Sequence, residues 1–486
     1  MIINCINKTP NFKIDAPPSK SIYHRELIVR YLLMNSGDSG DSDDPGVPDN
    51  SDDLGFSSAD GADFRNTTLK DLTILPGDND DIRATKSVLS ALYDAANSDI
   101  SASVDSSNVD SANVDSANIN SSSEAVYLPC NESGSTLRFM IPVAAAYSLG
   151  KGRNHHGVKR LIFETKGRLF DRPLDELEAA LKPHGITIEK DSSSRCIIVS
   201  GEMTPGEYII DGSVSSQYIS GLIMALTLFD EPCKINVTGE MKSVHYIELT
   251  LDVLKKYGCE AEFKDGSFCP MTGGYYKLTS DYQNQKDIIN DFKVEGDWSN
   301  GAFLLCLKKW SDIEVTNLNP DSRQGDRAIV DYLKLIDDVR SKTASSKGIV
   351  WDCTDIPDIT PYMATVAPFV FDDITFTGVS RLRIKESDRV MAVREQLAEI
   401  GVKTEETEDS LTVYRYSAGK ETISNISSDL SGDKKNIRLS SYNDHRMAMC
   451  AVLIATILKT EIELDDISCI KKSFPEFLEY IEKYYA

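Results

Sequence analysis

A chain of 486 residues, 41% hydrophobic and 26% charged, is too long for one ordinary core and has the composition of a globular protein with two domains. Its 52 basic and 76 acidic side chains leave a net charge of −24, which argues against a nucleic-acid surface as its main business. Ten cysteines show no C-x-x-C and no Cys/His grouping at zinc spacing, so they read as reduced, apolar packing residues.

Residues 1–14 alternate apolar and polar and predict a strand, which Ala16-Pro17-Pro18 breaks. Ser19-Lys20-Ser21 then opens a helix running to about Met34. Two low-complexity inserts follow, at 36–63 and 97–123. They hold nine and four Asp with no Lys or Arg, and so carry 13 of the 24 net negative charges. The second contains the repeat VDSSN, VDSAN, VDSAN. Neither has the apolar surface to offset its ordering entropy, and both are expected as weakly structured surface loops. Elsewhere one motif recurs, an amphipathic helix, a Gly and a short acid-bearing strand, at 177–190, 251–264 and 393–406. Its glycines, Gly185, Gly258 and Gly401, are 73 and 143 residues apart, about one and two periods of 72. Each is expected in a left-handed position that ends its helix. Helical patterns at 84–96 and 328–338 fall roughly where further copies belong, and six copies account for the length, inserts aside. No N-terminal signal pattern is visible, and the longest apolar run, 447–458, is too short to cross a bilayer. The expectation is a cytoplasmic protein with no membrane segment.

The chemistry is expected around RLRIKESDR, 381–389, where Arg381, Arg383, Lys385 and Arg389 surround Glu386 and Asp388. A helical pattern follows, with Ser387 or Asp388 as its cap, so Lys385 and Glu386 fall beside a helix N-terminus suited to an anion. Lys20 and Arg25 stand about one turn apart at a helix start. Glu132-Ser133-Gly134-Ser135-Thr136 with Arg138 precedes an apolar helix at 139–147, and Gly134 lets backbone N–H groups approach an oxyanion. Arg168 and Arg172 precede Pro173, read as the first residue of a helix ending at Leu181; Arg172 is read as a surface residue. Ser213, Ser215, Ser216 and Gln217 enter a strongly apolar helix with more hydroxyls than capping requires. Asp358 fits a helix cap or a general base, and spacing does not separate the two. Tyr442-Asn443-Asp444-His445-Arg446 abuts another apolar helix, and Lys472 adds a last cation. Eight cations at element boundaries (Lys20, Arg25, Arg138, Arg168, Lys385, Arg389, Arg446 and Lys472) exceed what one phosphate needs and fit two phosphorylated, carboxylate-bearing substrates.

Taken in order, SKSIYHR, ESGSTLR, GRLFDRP, DGSVSSQ, VEGDWSN, DIPD, RLRIKESDR, YNDHRMAM and KKSFP resemble the 5-enolpyruvylshikimate-3-phosphate synthase (3-phosphoshikimate 1-carboxyvinyltransferase) family from about residue 12 to the C-terminus. The resemblance implies an α/β (α+β) fold of two similar domains. Each is three copies of a βαβαββ unit, an inside-out α/β barrel, with the active site in the interdomain cleft. Residues 1–18 with 296–486 would form one domain and 19–295 the other. It implies shikimate 3-phosphate held by Lys20, Ser21, Arg25, Ser215, Ser216, Gln217, Ser243, Tyr246, Asp358 and Lys385. Phosphoenolpyruvate would meet Lys20, Gly134, Arg168, Gln217, Arg389, Arg446 and Lys472. Asp358, Glu386 and Lys20 would be catalytic, in an addition–elimination on the route to aromatic amino acids. No metal, organic cofactor or nucleic-acid partner is implied, and a monomer is expected. Two departures stand out: Glu132 and Arg381 occupy positions where many members carry Asn. A sister enolpyruvyl transferase acting on UDP-N-acetylglucosamine is the nearest rival. It uses a loop cysteine and a Lys-Asn pair, whereas here Lys20 is followed by Ser21. A non-catalytic anion-binding protein is the other, and Asp358 with Glu386 among cations argues against it.

Overall fold

The computed structural model describes residues 1–6, 9–35, 67, 70–75, 77–97, 124–151, 158–241, 243–259, 261–264, 266–270, 292–417 and 437–485. The two inserts, apart from Asn97, lie outside the described residues, as does the VDSSN repeat.

The chain opens on β1 (Ile2–Asn4) and β2 (Lys13–Asp15), then α1 (Lys20–Asn35) and α2 (Asp80–Asn97). A first complete unit follows: β3 (Ala125–Asn131), α3 (Gly134–Leu149), β4 (Arg160–Thr165), α4 (Asp175–Leu181), β5 (Ile186–Asp191) and β6 (Cys196–Gly201). A second repeats it: β7 (Glu207–Asp211), α5 (Ser216–Leu226), β8 (Lys234–Thr238), α6 (Val244–Lys256), β9 (Ala261–Lys264) and β10 (Ser267–Pro270). After α7 (Trp298–Lys308), β11 (Glu314–Thr316) and α8 (Ile329–Arg340) comes a third: β12 (Ile349–Asp352), α9 (Thr360–Val366), β13 (Asp373–Thr377), α10 (Arg389–Glu399), β14 (Thr404–Glu406) and β15 (Ser410–Tyr414). β16 (Ile437–Leu439), α11 (His445–Leu458), β17 (Glu461–Leu464) and α12 (Phe477–Tyr484) end the chain.

Each complete unit is βαβαββ with one strand order. The first two strands run parallel across a helix, and the last two form a hairpin whose second strand joins the second strand of the pair. Gly185, Gly258 and Gly401 have φ of 85°, 75° and 80°, the left-handed helix ends expected of them. The period seen in the sequence is therefore a repeat of one supersecondary element.

The strand expected over 1–14 is instead two short strands in different sheets. β1 pairs antiparallel with β17 and β2 pairs parallel with β11. Pro10 lies between them, and without an N–H it interrupts a ladder. The N-terminus thus completes sheets whose other strands come from residue 314 onward.

Buried apolar side chains fall into two clusters. One runs from Ile3 to Ala16 and then from Trp298 to Tyr485. The other runs from Leu27 to Phe268. α11 lies inside the first, with every residue from His445 to Thr456 at most 5% exposed, and the wholly apolar runs of α3 and α5 fill the second. The chain passes between the clusters twice, side by side. Pro18 bridges Gly296, Ser19 N–H donates to Glu295 O and Asp297 N–H to Pro17 O, both at 2.7 Å. Gly296 is required there, since a Cβ would stand 1.9 Å from the Asn317 carbonyl oxygen. All ten cysteines are free and nine are buried. No helix among the described residues is long and apolar enough to cross a membrane.

Candidate active site

Helix starts from both clusters carry the charged residues, because their capping residues turn the chain there. Asp388 caps α10 through Met391 N–H at 3.0 Å, and Arg389 is its first residue. Asp444, fully buried, caps α11 through Arg446 N–H at 2.9 Å. The Asp444 carboxylate also takes Arg389 Nε at 2.8 Å, Arg389 Nη2 at 3.2 Å and the Ser387 hydroxyl at 3.0 Å. One acid therefore caps a helix and orients the arginine of its neighbour.

Arg389 turns its remaining Nη1 onto Asp358 Oδ1 at 2.9 Å. Lys385 Nζ lies 3.6 Å and Arg446 Nε 3.9 Å from the same oxygen. Burial pushes the Asp358 carboxyl up, but Lys385, Arg446, Arg389 and Lys20 outweigh it and hold it well below the usual carboxylate range. Lys385, desolvated and facing Arg389, Arg381 and Arg446, is pushed down to about 8 despite Asp358. Glu386 points the other way, to His445 Nδ1 at 3.2 Å and Lys472 Nζ at 3.9 Å. Burial opposes its ionisation, but His445, Arg389 and Lys472 lower it strongly. Glu386, Asp444 and His445 offer three metal-ligating atoms within 4.8 Å of one another. The two carboxylates already accept donors, and the surrounding cations disfavour another.

From the other cluster, Lys20 Nζ pairs with Asp81 Oδ2 at 2.7 Å. Burial lowers its pKa, but Asp81, Glu386 and Asp358 raise it above the ordinary lysine value, so both carboxylates of the opposite wall reach it. Arg25 is 2% exposed and donates to Thr250 Oγ1 at 2.7 Å, the Tyr246 carbonyl at 2.8 Å, the Ser220 hydroxyl at 3.4 Å and the Ser21 carbonyl. It has no acidic partner among the described residues, and burial pulls it down to about 10. Ser215 caps α5 through Gln217 N–H at 3.3 Å, and Ser216 is buried beside it. The Gln217 side chain spans Arg138 Nη1 at 2.9 Å and the Ser135 hydroxyl at 3.0 Å.

The helix expected from 139 begins at Gly134, because Ser133 caps it through Thr136 N–H at 3.3 Å. The Gly-Ser-Thr run is thus a first helical turn, with the Thr136 N–H taken by its cap. A Cβ on Gly134 would stand 2.4 Å from Arg172 Nη1. Arg172, and not Arg168, is therefore the arginine against this turn. It is half-buried, and its guanidinium feels Arg138, Glu386 and Asp81, while Arg168 is exposed. Pro173 lies before the helix rather than in it, since Leu174 occupies the N-cap position and Asp175 is the first helical residue.

Among the described residues, several contacts join the walls. Asp355 Oδ1 accepts Ser243 N–H at 2.8 Å and Arg381 Nη1 donates to Ser243 Oγ at 2.7 Å, with Ser243 at φ 55°. His245 packs on Gly325, where a Cβ would stand 2.5 Å from its Nε2, and Lys472 Nζ lies 3.5 Å from Glu132 Oε2. Both departures from the common Asn, Glu132 and Arg381, thus sit in contacts across the cleft. From sequence, Asp444 is named only within the Tyr442–Arg446 stretch, and Asp81 is not reached. Asp81 offers no signal beyond an acid in a first helical turn.

A two-lobed α/β architecture with a cation-lined cleft is the fold of enolpyruvyl transferases. EPSP synthase from Acinetobacter baumannii superposes with a TM-score of 0.59 at 16% identity, covering 100% of this chain and 98% of that one. The enolpyruvyl transferase NikO from Streptomyces tendae gives 0.53 at 12% identity, covering 99% and 96%. The chain belongs to the EPSP synthase (3-phosphoshikimate 1-carboxyvinyltransferase) family, whose sequence profile matches residues 73–481. The 3-phosphoshikimate 1-carboxyvinyltransferase of Clostridium novyi is 33% identical over 369 residues, 73% of this chain and 76% of that protein. Its counterpart in Clostridium acetobutylicum is 34% identical over 364 residues, 73% and 77%.

Proposed function

We propose that this chain transfers the enolpyruvyl group of phosphoenolpyruvate to the 5-hydroxyl of shikimate 3-phosphate, releasing phosphate, on the route to chorismate and the aromatic amino acids. The observation that carries the reading is Asp358 ringed by Lys385, Arg389 and Arg446 within 4 Å, facing Lys20 across the cleft, in a member of this family. Two lobes, 1–18 with 296–486 and 19–295, would close on the substrates and expel water. Shikimate 3-phosphate takes Ser21, Arg25, Ser215, Ser216, Ser243, Tyr246 and Lys385. Phosphoenolpyruvate takes Gly134, Gln217, Arg389, Arg446 and Lys472, with Arg172 in the place first given to Arg168. Lys20 touches both.

Asp358 removes the 5-hydroxyl proton as that oxygen adds to C2 of phosphoenolpyruvate, and Glu386 delivers a proton to C3. The tetrahedral adduct then loses a C3 proton and phosphate. In the free enzyme the cations make both carboxylates poor bases. Two bound polyanions offset those cations, so each carboxylate gains basicity when its substrates arrive. The reaction so written draws on no metal or organic cofactor, and the enzyme works as a cytoplasmic monomer.

Incubation with both substrates in D2O followed by mass spectrometry tests this. The expected product is 5-enolpyruvylshikimate 3-phosphate with deuterium on its vinyl carbon, because C3 passes through a methyl group. Transfer to UDP-N-acetylglucosamine instead, or no transfer, would overturn the reading.

A further inference from the structure

Behind Arg446 lies a carboxylate that none of these roles uses. Asp326, in the single 3-10 turn Gly325–Ala328, is 3% exposed. It accepts the Ser299 hydroxyl through Oδ2, while its buried Oδ1 has no hydrogen-bond partner. Ser299 stands in the first turn of α7, and its carbonyl accepts Arg446 Nη1 at 3.4 Å. The same Nη1 reaches the Tyr362 hydroxyl at 3.1 Å, and Arg446 Nε has no hydrogen-bond partner. One serine thus touches Asp326 with its side chain and Arg446 with its main chain.

We propose that Asp326 is a further positioning residue for enolpyruvyl transfer: through Ser299 it fixes the place of the Arg446 guanidinium, while leaving that cation's charge to Asp358 and the substrate. The proposal rests on the function argued above.

The charges around Asp326 explain how both halves of that role are met. Asp358 faces it from the loop before α9, Asp297 from the cap of α7, Arg446 from α11 and Tyr246 from α6 across the cleft. Burial first, and then the Asp358 charge, push the Asp326 carboxyl up to about 7 against the pull of Ser299 and Arg446. Below that pH a neutral acid holds Ser299 without adding a second negative charge at Arg446. Above it the new charge competes with an anionic substrate for the guanidinium. Two acids flank one arginine, and only Asp358 stays ionised throughout.

Asp326→Asn keeps the shape and the acceptor but cannot ionise. The measurement is KM for phosphoenolpyruvate from about pH 6 to 8.5, at saturating shikimate 3-phosphate. Wild-type KM is expected to rise roughly tenfold across that range. In D326N it should stay near the wild-type low-pH value, with kcat changed less than about threefold. Parallel profiles, or a loss of kcat at every pH with KM unmoved, would overturn the proposal. Ser299→Ala, which cuts the link, should raise KM at pH 6 with kcat held; a wild-type KM there would equally overturn it. Unfolding gives an independent readout. A carboxyl raised on folding binds a proton that the unfolded chain has lost, so its contribution to stability falls as pH rises from about 4 to about 7. The stability of D326N relative to wild type should therefore grow from pH 5 to pH 8, and a constant difference would refute the neutral acid. Growth of that difference, with wild-type protein forming no product, would count against the function alone.

Discussion

Arg172 and Arg168 set the sharpest question at the level of single side chains. Both precede Pro173 and lie four residues apart, and only Arg172 meets the Gly134 turn. Arg172→Ala should raise KM for phosphoenolpyruvate by roughly 10- to 100-fold, the loss of a charge-assisted bond to a bound anion. Arg168→Ala should leave it within about threefold. Steady-state kinetics on the pair decides, and the reverse order would return the role to Arg168. Lys385 gives a pH signature. Its ammonium is pushed down to about 8, so kcat/KM for shikimate 3-phosphate should fall as pH rises through about 8 and the lysine loses its charge. Lys385→Arg stays charged over that range and should abolish that limb at some cost in rate; a limb that survives belongs to another group. Asp358, Lys385, Arg389 and Arg446 were legible because charged residues crowd helix starts in short motifs. The Arg168 and Arg172 choice was not, because sequence spacing carries no information about which way a turn aims its side chains. Asp81 and Asp326 were hidden for another reason: in a chain of 76 acids, a partner 61 residues from Lys20 has no local mark.

Capped helix starts do at the level of elements what the motifs do for residues. Asp444 closes α11, fixes Arg389 on α10 and is itself fully buried. Asp444→Ala removes a cap and leaves the buried Arg389 guanidinium with Asp358 as its one remaining hydrogen-bonded acid among the described residues, which should cost about 3–5 kcal/mol. Asn at that position keeps the cap but not the charge, and should lose less. Chemical denaturation of the two variants measures this, and a loss under about 1 kcal/mol for the alanine would mean that Asp358 alone suffices to hold Arg389. The helix–Gly–strand units were readable at this scale, since Gly185, Gly258 and Gly401 mark left-handed ends that few other residues adopt. The N-terminal strand was not. Alternation over 1–14 reports a buried face, whereas the break into β1 and β2 is set by β17 and β11, roughly 300 to 460 positions away.

Taken whole, the molecule brings together cations that the chain keeps far apart. Lys20 and Arg172 come from one lobe, Lys385, Arg389, Arg446 and Lys472 from the other, and Asp358 feels Lys20 across the gap. The Ser243–Asp355–Arg381 contacts and the Lys472–Glu132 pair span the same gap. The 72-residue period foretold the repeats, but which faces meet follows from the double chain crossing at Ser19–Glu295, which no periodicity contains. If both walls are needed, neither substrate reacts alone. The most direct test is the rate of phosphate release from phosphoenolpyruvate, with and without shikimate 3-phosphate, in wild-type protein and in Asp358→Ala. The account expects release only with both substrates present, reduced roughly 100- to 10,000-fold in the variant. Release from phosphoenolpyruvate alone, or a variant as fast as wild type, would contradict it.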